Sequence, residues 1–288
     1  MALSINPSRG RADLLYELTS FDNYLTERTL YRNVGFWKDG ETNLDNASEA
    51  LVHAAGEALQ LGPSDHLLDV GFGYGDQDLY LHEHFKPREI TGINITHSQV
   101  EFASKRVAQK GLSDRIHYKE ASATAIPFPD NSFDKVLALE CAFHFPTRRD
   151  FFREAFRVLR PGGRLVTFDL LFLPFDHLSF FPRTLSHLGL HLGKICSDNV
   201  HDKHVYAERL SAAGFSANVE SVYEETLVPF SKYTMAKLTD PAVTRRMNLL
   251  VASMLWGPAE IVVKNPWGLL QLDYIRAIAD KPATTPRQ

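Results

Sequence analysis

Short apolar runs alternate between residues 66 and 170 with segments whose apolar residues recur at helical spacing. The apolar runs predict strands at 66–70, 89–93, 115–119, 133–139 and 163–170. The segments between them predict helices near 76–85, 97–110 and 148–159. The last of these helices is expected to end at Pro161 and the two glycines after it, which would form a turn before the next strand. Strands that alternate with helices are typical of βαβ units, so the sequence predicts an α/β protein with a parallel sheet.

Two irregular stretches interrupt this alternation beyond residue 170. The predicted order there is an aromatic-rich stretch at 171–200, a helix at 202–213, a strand at 218–223, a stretch with several prolines at 227–267 and a last strand within 268–280. We expect the sheet to continue after both interruptions. The interrupting stretches, together with residues 1–50, are predicted to form one cap on the same side of the sheet.

Composition and charge narrow the choice of partners and compartment. The 288 residues are 44% hydrophobic and carry a formal net charge of −4, with no block of Lys and Arg that would bind nucleic acid. Two cysteines, Cys141 and Cys196, are too few for a disulfide framework, which favours a reducing compartment. No stretch approaches the roughly 18 apolar residues of a spanning helix, and the first residues lack a signal-peptide core. We therefore expect a cytoplasmic protein without a transmembrane segment.

A glycine-rich turn, Asp69-Val70-Gly71-Phe72-Gly73-Tyr74-Gly75, joins the first predicted strand to the first predicted helix. Small residues there let a ligand approach the backbone closely, and the helix N–H groups face it. The spacing is G-x-G-x-G, whereas a dinucleotide site requires G-x-G-x-x-G, and Asp76 at the helix start would repel a pyrophosphate. The turn therefore predicts a ligand other than NAD.

Four segments in this order carry a resemblance to a known family: DVGFGYG at 69–75, GINIT at 92–96, ASATAIPFPDNSFD at 121–134 and LRPGGRL at 159–165. With them the chain resembles the class I S-adenosylmethionine-dependent methyltransferases. The resemblance implies a Rossmann-like, seven-stranded, mostly parallel sheet with helices on both faces and an inserted, mainly helical cap. The expected division is an N-terminal lid at 1–50, a cofactor-binding core at 51–170, cap insertions at 171–200 and 227–267, the rest of the sheet at 201–226 and 268–280, and a tail at 281–288.

The resemblance also implies which residues bind the cofactor, S-adenosylmethionine. Asp69 would orient the glycine turn and the cofactor's amino group, and Asn94 stands where the family usually has an acid for the ribose hydroxyls. An amide accepts such a hydrogen bond without the strength of a charged group. Ser122 stands where many members have Asp facing the adenine, and Gln99 lies either at the ribose or amino acid end or on the helix surface. The other expected contacts are Gly71, Gly73, Gly75, Ile95, Ala123 and Thr124.

Glu140 and His144 follow the strand predicted at 133–139, at the edge where open α/β sheets bind ligands. His is suited to removing a proton near neutral pH, and a Glu among apolar neighbours has a raised pKa that makes it a usable base. Either residue could remove a proton from the acceptor; the alternative for His144 is a ring that packs in the core. Arg148 and Arg149 are interpreted as the start of a solvated helix.

The predicted function is transfer of a methyl group from S-adenosylmethionine to a small, largely apolar acceptor by in-line displacement, with S-adenosylhomocysteine as the product. The cap resembles that of natural-product, sterol-type or tocopherol-type methyltransferases, and NVGFW at 33–37 is similar to an N-terminal lid of such relatives. The aromatic run at 172–181 is predicted to form lid core. The expected acceptor-binding residues are Tyr24, Trp37, Phe143, Phe172 and Phe175.

Two other functions stay open at this point. A catalytically silent binding protein of the same fold is favoured by Asn94 and Ser122, and a nicotinamide-dependent reductase is opposed by the glycine spacing. The twelve histidines include no HExxH motif, so no metal is expected. Weak association with a membrane surface is an alternative use of an apolar cap, although the Lys/Arg-rich flank that strengthens such binding is missing. The identity of the acceptor, the methylated element and the oligomeric state are not predicted.

Overall fold

A seven-stranded sheet with strand order β3-β2-β1-β4-β5-β7-β6 forms the centre of the molecule. The computed structural model describes residues 25–38, 40–245, 249–264 and 271–283. The strands are β1 (His66–Val70), β2 (Glu89–Asn94), β3 (Ile116–Glu120), β4 (Phe133–Leu139), β5 (Leu159–Phe172), β6 (Ser216–Ser221) and β7 (Leu272–Asp280). Strands β1 to β5 pair in parallel, and β7 is antiparallel to both β5 and β6. The predicted α/β class and the mostly parallel sheet are confirmed.

Helices cover both faces of the sheet, because its parallel strands are apolar on both sides. The helices are α1 (Leu44–Leu59), α2 (Asp76–Phe85), α3 (His97–Gln109), α4 (Arg148–Val158), α5 (Phe180–Leu192), α6 (Lys203–Ala212), α7 (Leu227–Leu238), α8 (Pro241–Thr244) and α9 (Leu249–Val263). Leu67 and Leu68 point to opposite faces, as successive strand residues do. Helices α4 and α6 pack on the Leu68 side, and α1, α2 and α3 pack on the Leu67 side.

The bounds of β5 differ most from the sequence prediction, whereas β2, β3 and β6 differ by one or two residues at their ends. Strand β5 begins at Leu159 and contains the Pro161-Gly162-Gly163 segment that was expected to form a separate turn. Its pairing with β4 passes from Phe133↔Leu159 to Lys135↔Arg164, so the extra residues form an irregularity in the strand. Gly162 has φ +81°, which glycine adopts without strain.

The two interrupting stretches contain the remaining helices, α5 in the first and α7 to α9 in the second. The prediction that the aromatic run forms lid core is wrong for Phe180 and Phe181, which are 81% and 70% exposed. They lie on the outer side of α5, opposite the buried Ser186 and Leu190. The expected division at residue 50 falls inside α1.

Candidate active site

The strand order places the candidate site at the carboxyl edge of the sheet. Strand β1 lies between β2 and β4, so the chain's connections leave it in opposite directions, and open α/β sheets bind ligands at such a point. The last residues of β1 and β2 bring Asp69 and Asn94 to this edge, and Glu140 follows the last residue of β4. The residues predicted from three separate motifs therefore meet at one edge.

The three glycines of the turn have different surroundings. All have positive φ, of 82°, 60° and 82° for Gly71, Gly73 and Gly75. A Cβ atom added at Gly71 would lie 2.7 Å from Cys141 Cβ, and one added at Gly75 would lie 2.6 Å from the Tyr118 hydroxyl. A Cβ added at Gly73 would meet no atom within 4 Å. Packing thus requires Gly71 and Gly75, whereas Gly73 is the glycine whose backbone is open to a ligand.

Asp69 lies beneath this turn with its carboxyl group fully buried. Its Oδ2 accepts a hydrogen bond of 2.6 Å from Gln77 Nε2, and its Oδ1 has no hydrogen-bond donor within the described chain. Burial raises the pKa of Asp69 to about 6, although the neighbouring Asp78 and Gln77 side chains oppose the rise. Buried carboxylate oxygens normally have partners, so the unpartnered Oδ1 of Asp69 calls for an explanation.

Asn94 and Gln99 form a polar pair beside the turn. Asn94 Nδ2 donates to Gln99 Oε1 at 2.8 Å, and Asn94 Oδ1 accepts from the Thr96 N–H at 3.0 Å. Gln99 is only 7% exposed, so the alternative that it lies on the helix surface is wrong. Ile95, which follows Asn94 in the chain, is 58% exposed. The side chains predicted for the ribose therefore contact each other and are held in place.

The loop after β3 lies next to this pair. The Ala121 N–H donates to the Asn94 carbonyl oxygen at 3.0 Å, which joins the two loops. Ser122 Oγ lies 3.1 Å from Thr124 Oγ1 and accepts from the Thr124 N–H at 3.2 Å, while Ala123 is buried in the core. The predicted adenine-side residues thus form a compact turn of their own.

Glu140 joins the sheet edge to residues 25–38, which we call the strap. Its Oε1 accepts from the Val34 N–H at 2.8 Å and from the Tyr274 hydroxyl at 2.7 Å. Burial raises its pKa to about 7, with a smaller increase from Asp169, although the two hydrogen bonds oppose the rise. Glu140 also has φ +51°, a strained conformation for a non-glycine residue and one that is common at functional sites.

His144 ends a short 3-10 turn, Ala142–His144, directly after Glu140. Its side chain is exposed, so the alternative that it packs in the core is wrong. The ring lies 4.0 Å from the Phe143 ring, centre to centre, and the surrounding protein excludes part of its water. This desolvation, with a smaller contribution from the Arg148 charge, lowers the pKa of His144 to about 4. The imidazole is therefore neutral at physiological pH, and the lowered pKa also makes it a weaker base than an unperturbed histidine.

A buried ionic network supports the turn that carries His144. The prediction of a solvated Arg148 is wrong, because its side chain is fully buried; only Arg149 is exposed. Arg148 Nε donates to Asp169 Oδ2 at 2.7 Å and its Nη1 to the Asn199 carbonyl at 2.6 Å. Asp169 Oδ1 accepts from the Phe143 N–H at 3.1 Å, and Asn199 Nδ2 donates to the Phe143 carbonyl at 3.3 Å. A buried charge pair is tolerated when its hydrogen-bonding groups are satisfied, as they are here.

The predicted acceptor-binding residues separate into three groups. Phe143 and Phe172 lie near the His144 turn with ring centres 6.2 Å apart. Phe175 is buried behind Phe172 in a small apolar cluster of the first cap stretch. Trp37 belongs to the strap, where its Nε1 donates to the Val34 carbonyl at 2.8 Å and its ring lies 5.3 Å from that of Tyr233. Tyr24 lies outside the described residues.

Sequence reasoning missed several residues of this site. Asp78 is fully buried in α2, a position that its spacing from the buried Leu81 and the half-buried Phe85 could have indicated. Tyr274 and Asn199 reach the site from elements more than 50 residues away along the chain, and no local pattern marks them.

Comparison with known proteins identifies the family. A family model described as a methyltransferase domain matches residues 68–167. Erythromycin 3''-O-methyltransferase of Saccharopolyspora erythraea is 36% identical over 282 residues, which are 96% of this chain and 92% of that protein. The chain belongs to the S-adenosylmethionine-dependent methyltransferases. The present chain is also 39% identical to 27-O-demethylrifamycin SV methyltransferase of Amycolatopsis mediterranei over 140 residues. These residues are 49% of this chain and 51% of the Amycolatopsis protein. A cyclopropane synthase of Mycobacterium tuberculosis has the same fold, with a TM-score of 0.76, 18% identity and coverage of 96% and 100% of the two chains.

The family membership confirms the predicted enzyme class and its cofactor, S-adenosylmethionine. The residues at the sheet edge fit that cofactor, because Gly73 leaves room for a close approach and Asp69 is a buried acid beneath it. Neither the reductase nor the silent binding protein is supported. In the part of the chain that the structure describes, no helix is long and apolar enough to cross a membrane, and no three metal-ligating side chains come together.

Proposed function

We propose that the methyltransferase methylates a hydroxyl oxygen of a small, largely apolar acceptor. The observation that carries the proposal is a neutral, solvent-exposed His144 on a firmly held turn, at the same sheet edge as the open Gly73. Oxygen is favoured over nitrogen or carbon because the relative that is similar over its whole length is named a 3''-O-methyltransferase.

The chain's residues would hold the cofactor in the groove along the ends of β1 and β2. When bound, S-adenosylmethionine supplies an electrophilic methyl group. The Gly73 backbone would contact its amino acid end, and the Asn94 and Gln99 amides would bind the ribose. The remaining proposed contacts are those inferred from the sequence: Asp69, Gly71, Gly75, Ile95, Ser122, Ala123 and Thr124.

We assign removal of the acceptor's proton to His144 in preference to Glu140. An alcohol becomes a good nucleophile only as its proton leaves, and a neutral imidazole can accept that proton. Oxygen Oε1 of Glu140 already accepts two hydrogen bonds that join the strap and β7 to the sheet edge. Glu140 would therefore serve mainly to hold the strap, and His144 would act on the acceptor.

The acceptor would lie against Phe143 and Phe172 and be enclosed by the cap. Pockets lined by apolar side chains bury most of an apolar ligand while a few polar groups orient it. Phe175 and Trp37 would act by supporting these walls, and Tyr24 remains a proposed contact. We further propose that the lid at 1–50 and the cap insertions at 171–200 and 227–267 act together on the core, and that the enzyme is cytoplasmic and binds no nucleic acid.

Cofactor binding at the glycine turn is tested by Gly73→Asn. Asn tolerates positive φ better than most residues, so the fold is retained while the side chain occupies the space that the cofactor needs. Gly162→Asn is the matched control, because Gly162 also has positive φ and open space, in the irregular part of β5 away from the site. Calorimetry with S-adenosylhomocysteine should show at least tenfold weaker binding for the first variant only. Equal affinities would refute the assignment of the turn.

The base is tested by comparing His144→Gln with Glu140→Gln. Removal of a general base typically costs about 100-fold or more in turnover, and we expect that loss for His144→Gln with cofactor affinity unchanged. Turnover is measured with labelled cofactor on hydroxyl-bearing acceptors such as 27-O-demethylrifamycin SV and erythromycin lacking the 3''-O-methyl group. If only Glu140→Gln is impaired, Glu140 is the base; if neither is, the proposed acid–base step is wrong.

A further inference from the structure

A pair of buried carboxyl groups lies beneath the glycine turn. Asp69 is the penultimate residue of β1, and Asp78 lies in the first turn of α2; both are 0% exposed. Gln77 donates to Asp69 Oδ2, but Asp69 Oδ1 and both carboxyl oxygens of Asp78 receive no hydrogen bond from any donor that the structure describes. Three buried acceptor oxygens without a donor in one place need an explanation.

A shared proton explains this arrangement. Two adjacent carboxylates cannot both keep their charge away from water, because each raises the free energy of the other's charged form. A proton on one of them converts an acceptor oxygen into a donor, which the neighbouring carboxylate can accept. Burial and the Asp69 charge raise the pKa of Asp78 well above its usual value, whereas the hydrogen bond from Asp78 lowers that of Asp69. Asp69 accepts a hydrogen bond from Gln77, whereas neither carboxyl oxygen of Asp78 has a donor in the described part of the chain, so the ionised form is better stabilised on Asp69 and the proton resides on Asp78.

The groups around the pair do not neutralise it in another way. Tyr118 of β3 places a buried, neutral hydroxyl near the pair and Gly75; this hydroxyl lowers the pKa of Asp78, but burial and the Asp69 charge outweigh it. Arg106 of α3 is engaged elsewhere: its Nη1 donates to Asp76 Oδ2 at 2.6 Å and to the Tyr74 carbonyl at 2.7 Å. The other titratable groups whose charges act on the pair or are acted on by it are Asp76 on α2 and Cys141 after β4, whose thiol donates to the Val70 carbonyl.

We propose that Asp78 is a positioning residue for the cofactor: it holds a proton and donates a hydrogen bond to Asp69, so that the pair keeps one negative charge at a fixed place beneath the glycine turn. That charge favours the cationic amino group of the cofactor above the turn. The inference rests on the proposed binding of the cofactor at Gly73. It predicts that Asp78 acts by keeping Asp69 ionised and not by its own charge.

The experiment compares three variants by calorimetry with S-adenosylhomocysteine between pH 5.5 and 8. Asp78→Asn replaces the protonated carboxyl with an amide that can still donate to Asp69. Asp78→Ala removes the donor, and Asp78→Ser supplies a shorter donor in case the alanine variant does not fold. Glu83→Gln, an exposed change on the same helix, is the control. Thermal unfolding establishes that each protein is folded at each pH.

We expect Asp78→Ala to lose affinity for S-adenosylhomocysteine, and the size of this loss to depend on pH. Without its donor Asp69 becomes harder to ionise, so Asp78→Ala should bind roughly tenfold more weakly at pH 5.5 for each unit by which the Asp69 pKa rises, and should approach wild type at pH 8. Asp78→Asn and Glu83→Gln should stay within about twofold of wild type at every pH.

Other outcomes would overturn the proposal in recognisable ways. If the affinity of Asp78→Ala is lowered by the same factor at every pH, Asp78 contributes through packing alone. Equal losses in Asp78→Asn and Asp78→Ala indicate that the charge of Asp78 is what matters. If wild type itself fails to bind S-adenosylhomocysteine, or Gly73→Asn binds it normally, the proposed cofactor site is wrong, and that failure is separate from any result on Asp78.

Discussion

Glu140→Gln tests the carboxyl group that joins the strap to the sheet edge. The substitution keeps the shape of the side chain, and the amide oxygen can still accept from the Val34 N–H and the Tyr274 hydroxyl. What it removes is a carboxyl group that the fold holds in a buried position with φ +51°. The variant therefore separates the strap contact from the negative charge.

The size of the effect follows from the pKa of Glu140, which burial raises from 4.5 to about 7. Because the pKa is higher in the folded state, the folded protein binds the proton more tightly. The corresponding stability is present below pH 4.5 and is lost as the pH rises through about 7. At about 1.36 kcal/mol for each pKa unit, ionisation of Glu140 costs the fold about 2 to 3 kcal/mol between pH 5 and pH 8. A glutamine side chain does not ionise, so the variant does not lose this stability as the pH rises.

Urea unfolding of wild type and Glu140→Gln at pH 5, 6.5 and 8 measures the prediction. The free energy of unfolding of the variant, relative to wild type, should rise by about 2 to 3 kcal/mol from pH 5 to pH 8. Glu208→Gln on α6 is the control, since the same chemical change there affects an exposed side chain. A difference between wild type and Glu140→Gln that does not vary with pH would refute the raised pKa and the reasoning built on it.

Three further substitutions test the rest of the site. Asn94→Asp should tighten cofactor binding several-fold, because charged hydrogen bonds exceed neutral ones by about 1 kcal/mol and Gln99 can turn its amide to donate; weaker binding in calorimetry would contradict this. Asn199→Ala removes a donor to the Phe143 carbonyl and should lower the free energy of unfolding by about 1 to 3 kcal/mol and reduce turnover, whereas unchanged turnover would separate this contact from catalysis. Trp37→Phe keeps an aromatic ring but loses the bond to the Val34 carbonyl, so it should cost about 1 kcal/mol in urea unfolding; no change would show that the strap does not depend on it.

Local patterns were sufficient for the core of the fold. Strands β1 and β4 and helix α2 have the predicted bounds, because their apolar spacing and flanking glycines are signals within a few residues. The predicted ends of β5 were less accurate, since strand pairing with β4 and β7 extends the strand through a Pro-Gly-Gly segment that by itself favours a turn.

Local patterns did not predict the burial of side chains whose surroundings come from elements far away in the sequence. Arg148 has the sequence context of an exposed helix start, yet Asp169, Asn199 and the Leu170 carbonyl surround its guanidinium group. Conversely, Phe180 and Phe181 are apolar but exposed, because α5 turns another side toward the protein. Hydrophobicity describes a residue's preference, whereas burial depends on which element packs over it.

The sequence by itself determined the order of strands and helices between residues 66 and 170, the glycine turn, the family and the edge of the sheet where the candidate residues meet. These follow from short-range patterns, since the residues concerned are neighbours along the chain. Only the tertiary structure decided that Gly73 alone of the three glycines is open, that Glu140 holds the strap and that Asp78 is as fully buried as Asp69. Those features depend on contacts between residues that are far apart in sequence or on opposite sides of a turn. The charge of a carboxyl group, in turn, depends on the water and the hydrogen-bond donors that the completed fold leaves around it.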